Sequence, residues 1–64
     1  MRDTLIKLVQ RIREEFEEAG GLRVSVGEAA RFFGLDMETS EQVLTKLYQL
    51  GFLAKDDEGR FRRL

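Results

Sequence analysis

Glycines at 20–21, 34 and 51 cut this chain into segments, and each segment they close carries apolar residues at helical spacing. Glycine enters the left-handed backbone region without a steric penalty, so such positions end helices and open turns. Leu5, Leu8, Val9, Ile12, Phe16 and Ala19 recur at three- and four-residue steps, which predicts a helix over 3–19 with one apolar stripe. Asp3 or Thr4 is placed to cap its start, and Gly20-Gly21 to end it.

Leu22-Arg23-Val24 alternates apolar and charged, the pattern of a very short strand over 22–24 with Leu22 and Val24 facing inward. Ser25-Val26-Gly27-Glu28 follows as a capping box, in which Ser25 and Glu28 each satisfy the other's backbone amide. It opens a second helix over 26–33 that buries Val26, Ala29, Ala30 and Phe33, and its two alanines suit a close helix crossing. Gly34-Leu35 reads as a turn, and Asp36 caps a third helix over 37–50 whose inner face is Val43, Leu44, Leu47 and Leu50. Residues 52–63 read as a hairpin, with Asp56-Asp57-Glu58-Gly59 at its turn and Phe61 folded inward. The fold class is α+β, mostly α. Phe16, Val26, Ala30, Phe33, Leu35, Leu44, Leu47, Leu53 and Phe61 are expected to form one core.

Sixty-four residues make one domain at most, and with neither Cys nor His the chain excludes disulfides and the usual zinc sites. The same absence, with no glycine-rich phosphate loop and no carboxylate pair in an evident pocket, leaves catalysis and cofactors without candidates. No apolar run approaches the roughly 20 residues that cross a bilayer, and Lys7 breaks the run from Leu5 to Val9, so a soluble cytoplasmic protein is expected. The formal net charge of −1 argues against bulk attraction to nucleic acid but leaves room for a local basic patch.

The order helix, short strand, helix, turn, helix, hairpin resembles the winged helix-turn-helix family. The likeness rests on Ser25-Val26-Gly27-Glu28-Ala29-Ala30, then Gly34-Leu35, then Leu44, Leu47 and Gly51-Phe52-Leu53, and it covers nearly the whole chain. It implies that the C-terminal hairpin is the wing and that 22–24 is the third strand of its sheet. One position departs from the family pattern. Ser40 stands where a branched apolar residue is usual, and it is expected half-buried, bonding back to a carbonyl of its own helix.

The resemblance further implies a DNA-binding transcriptional regulator, or a DNA-binding module of a larger assembly. Thr39, Gln42, Thr45 and Lys46 would lie in the major groove, with Arg60, Arg62 and Arg63 on the phosphate backbone. The outer face of the third helix also carries Asp36, Glu38 and Glu41, with Lys46 its one base. Acids at a helix N-terminus complement its dipole, but they repel phosphate. The alternative is a protein-interaction module that docks basic partners on Glu14, Glu15, Glu17 and Glu18 of the first helix and on Glu38 and Glu41 of the third. The basic wing likewise has a plain reading as protection of an edge strand. A chain this small covers few base pairs, so a homodimer or a larger assembly is expected, with the first helix the candidate for pairing.

Overall fold

The computed structural model describes residues 2–64, with side chains from Thr4 onward. Its elements are α1 (Arg2–Glu18), β1 (Arg23–Val24), α2 (Val26–Phe33), α3 (Met37–Gln49), β2 (Leu53–Lys55) and β3 (Phe61–Arg63). Three helices therefore carry most of the chain, and the three short strands form one antiparallel sheet in the order β1-β3-β2. The last strand inserts between the other two, so the hairpin and the early strand make a single surface.

Each helix is bounded by local chemistry. Helix α1 is already formed at Arg2, so Thr4 stands inside its first turn and does not cap it; the Asp3 side chain lies outside the described residues. Its far end closes at Glu18, and Leu22 N–H donates to the Ala19 carbonyl at 2.9 Å across Gly20-Gly21. Neither glycine there takes a positive φ, so this exit is an ordinary turn and needs no left-handed cap. Ala19, expected on the apolar stripe, lies past the helix end and is exposed.

Helix α2 has the bounds that its capping box implies. Glu28 N–H donates to Ser25 Oγ at 3.1 Å, and Ser25 N–H donates to Glu28 Oε1 at 2.9 Å. Gly34 ends the helix at φ 69°, where a side chain would be strained. Asp36 then caps α3 by accepting from Thr39 N–H at 2.7 Å. Helix α3 stops one residue short of the expectation. Gly51 at φ 80° lets Phe52 N–H reach back to the Leu47 carbonyl at 3.0 Å, and Leu50, the cap residue and still αR, is 63% exposed and not on the buried face.

The core draws on all three helices and the sheet. Ile12, Phe16, Val43, Leu44, Leu47 and Leu53 are at most 1% exposed, and Val24, Ala29 and Phe61 complete the cluster. Full burial of each large side chain contributes about 1.5–3 kcal/mol. Val26 and Phe33 pack against its edge, half-buried. Ala30 is buried but stands apart from the central cluster, and Leu35 in the turn is half-buried outside it.

Ser40 departs from the expectation in an informative way. It is fully buried, and its Oγ donates to the carbonyl of Val26 in α2 at 2.8 Å, not to its own helix. The small side chain lets the start of α3 close onto the start of α2, and the hydroxyl finds its partner across that contact.

Candidate nucleic-acid interface

The hairpin is set by its turn. Asp56 Oδ1 accepts from the N–H groups of Glu58 and Arg60, both at 2.9 Å, while Gly59 N–H donates to the Asp56 carbonyl at 3.0 Å. With Gly59 at φ 80°, the tip is a three-residue loop closed by a left-handed glycine. These two amide contacts, Arg60 before Glu58, and the charges of Arg23 and Arg60 hold the Asp56 carboxyl below its usual range. The register follows: Lys55 opposite Phe61, Ala54 opposite Arg62 and Leu53 opposite Arg63, with Arg23 of β1 opposite Arg62 from the other side.

Pleating then sorts the basic side chains by face. Phe61, Leu53 and Val24 point into the core, so Arg62, Arg23 and Ala54 form one row on the outer face of the sheet. Arg60, two residues before Arg62, shares that face, but its Nε sits 3.4 Å from Glu28 Oε1. Hydrogen bonding from the Ser25 amide, then the charges of Arg60 and Arg31, hold Glu28 below its ordinary value. Arg63 alternates to the opposite face, where its guanidinium lies 5.6 Å from the centroid of Phe52; Arg13 of α1 stacks on the same ring at 5.0 Å. The basic edge expected at Arg60, Arg62 and Arg63 is therefore not one surface. Arg62 is exposed and joins no ion pair among the described residues, its Nη1 donating to the Arg63 carbonyl at 3.4 Å; Arg60 is paired, and the Arg63 guanidinium belongs to an aromatic stack.

The positions expected to face a major groove also divide. Thr39 is half-buried and engaged with the Asp36 cap, and its side-chain and backbone hydrogen bonds hold that carboxyl low. Gln42, Thr45 and Lys46 are exposed and border a groove of about 650 Å³ between α1 and α3. Its apolar wall includes Leu5, Ile6 and Leu50, exposed by 37%, 55% and 63%. Glu38 and Glu41 are exposed, and Glu41 also borders the groove.

On α1, Glu14, Glu17 and Glu18 are exposed and Glu15 is half-buried, with Glu17 Oε2 3.9 Å from Arg13 Nε. Tyr48 covers the rim of the core edge-on to Phe61, with 6.3 Å between ring centroids, and Phe32 leans on Phe33 at 4.9 Å.

Arg23 is the basic residue that the strand pattern left unassigned. Alternation over Leu22-Arg23-Val24 marks it as outward-facing, but only the register across the sheet brings it to Arg62. Among the described residues no cluster of three or more Asp or Glu side chains is gathered as a metal ion needs, and no helix is long and apolar enough to cross a membrane. No family model, no curated protein and no solved structure matches the chain.

Proposed function

We propose that this chain is a winged helix-turn-helix module that binds double-stranded DNA, as a transcriptional regulator or as the DNA-binding part of a larger assembly. The order of α2, a left-handed glycine turn and α3, followed by a hairpin that pairs with an earlier strand, supports the fold reading. The observation that carries the functional reading is the exposed guanidinium of Arg62, which joins no ion pair among the described residues and donates only to the Arg63 carbonyl at 3.4 Å, on the outer face of a hairpin whose turn is fixed by Asp56. A guanidinium presents a planar fork of donors that matches phosphate oxygens, so less ordering is lost per hydrogen bond than with an ammonium.

The acids of α3 shape the mode of binding. Asp36 is committed to its cap, but Glu38 and Glu41 remain exposed and repel a phosphate backbone brought close to them. Affinity then comes chiefly from the sheet, and Gln42 is the α3 side chain suited to reading a base edge. Titration of a mixed-sequence duplex from low salt upward tests the proposal. Binding that weakens steeply with salt, and that strengthens in a Glu38→Gln, Glu41→Gln variant, is the expected result. A wild type and a Gln variant that both ignore duplex DNA at low salt would overturn it.

A second reading, a protein-docking module, has one observation in its favour. The groove between α1 and α3 gathers Leu5, Ile6 and Leu50 into an exposed apolar wall beside polar and charged residues, the surface an amphipathic helix uses.

A further inference from the structure

Arg23 and Arg62 stand directly opposite each other on adjacent antiparallel strands. Such neighbours have Cβ atoms about 4.5–5.5 Å apart, and like charges placed there destabilise a sheet. Here the third member of the row is Ala54.

The row beside it is built differently. Arg60 has Glu28 Oε1 at 3.4 Å, and the hairpin's closing pair sets it against Asp56. Arg60 thus has Glu28 as a direct partner, whereas neither Arg23 nor Arg62 joins an ion pair among the described residues. The Asp56 carboxylate feels the charge of Arg23, yet its Oδ1 already accepts two backbone N–H groups. Ala54 adds no charge to the row, Arg62 donates from Nη1 to the Arg63 carbonyl at 3.4 Å, and the Arg63 guanidinium is turned away onto Phe52.

We propose that Arg23 and Arg62, with Ala54 as the floor beside them, form a binding site for the phosphodiester backbone of duplex nucleic acid. The proposal rests on the DNA-binding reading and adds to it a residue, Arg23, that lies outside the hairpin. Phosphate supplies the negative charge that the row lacks. Each guanidinium presents a planar fork of donors that matches phosphate oxygens, so one strand of the duplex runs along the row while β1 and β3 hold the two forks at fixed spacing.

The test is a salt-dependence series on the full chain, with Arg23→Ala, Arg62→Ala and Arg63→Ala compared with wild type on one mixed-sequence duplex. Arg23→Ala and Arg62→Ala should each flatten the slope of log affinity against log salt by about 0.9 and weaken all sequences alike. Arg63→Ala should leave the slope unchanged. Arg23→Lys should restore the slope, because it keeps the charge, while circular dichroism verifies that each variant is folded. Wild-type binding with an unaltered Arg23→Ala slope overturns this site and leaves the DNA-binding reading standing. No wild-type binding to duplex at low salt overturns both, and binding only to vesicles of anionic lipid reassigns the row to a membrane surface.

Discussion

The fully buried hydroxyl of Ser40 in α3 donates to the Val26 carbonyl at the start of α2 with an O···O distance of 2.8 Å. A buried polar group is tolerated when it is paired, and this pairing joins the two helices that flank the Gly34 turn. The angle between them is thereby fixed by one hydrogen bond as well as by apolar packing.

Replacement of Ser40 tests that joint. Ser40→Ala strips the Val26 carbonyl of its cross-helix partner and should cost about 0.5–1.5 kcal/mol in a urea titration. Ser40→Val should not recover the loss, although a branched apolar residue is what the resemblance favours there. It removes the same bond and forces extra carbon into a site with no exposed surface. A valine variant as stable as wild type would show that packing alone sets the joint.

Much of this architecture was legible in the residues, for reasons that differ by element. Helix α2 was readable to both ends because its stop and start signals are local: Ser25 and Glu28 at one end, Gly34 at the other. The α3 stripe misled at Leu50, since apolar spacing continues there while the side chain lies on the exposed wall of the groove between α1 and α3. Pairing across the sheet was not legible. Alternation assigns each strand residue to a face, but which residue lies opposite Arg62 depends on how β1 docks from far along the chain. The Arg60–Glu28 contact is hidden for the same reason, because it needs the start of α2 to abut the hairpin. The separation of Arg63 from Arg62 was available from alternation alone.

Acid should weaken the fold at three defined points. Glu28, Asp36 and Asp56 are each held below their ordinary values, chiefly by hydrogen bonds to their carboxylates. A depressed folded-state pKa contributes stability that is present above the unfolded pKa and is lost as pH falls through the folded value. Melting temperature should therefore hold near neutrality and decline below about pH 4. Asp36→Asn keeps a capping oxygen but cannot titrate, so it should shrink the acid-side decline while changing the neutral melting temperature little. An acid-side decline as steep as wild type would remove Asp36 as a contributor.

Glu28 couples the capping box to the hairpin, because one oxygen serves both the Ser25 amide and Arg60. Glu28→Gln retains a capping-box acceptor and removes the charge that holds Arg60. Stability should fall only slightly, since the ion pair is partly exposed and screened by solvent. Duplex affinity should rise, with a steeper salt slope, because Arg60 is then free beside the Arg23–Arg62 row. If affinity drops instead, Glu28 serves to position Arg60 and does not restrain it.

Charge reversal at Arg23 separates stability from binding. Glu at this position would replace a like-charged pair with an opposite-charged one directly across from Arg62. Favourable cross-strand pairs contribute about 0.2–1 kcal/mol, and in a domain of this size that raises the melting temperature by up to several degrees. The same change removes one phosphate contact and occupies the second, so the salt slope on duplex DNA should flatten by about 1.8. The stability gain should shrink in high salt, as an exposed pair's does. Arg62→Glu should mirror both effects, and Arg63→Glu neither, because its guanidinium lies over Phe52 on the other face. A lower melting temperature for Arg23→Glu would show that the attraction of Arg23 for Asp56 outweighs its repulsion of Arg62, and the row would lose its reason to recruit phosphate.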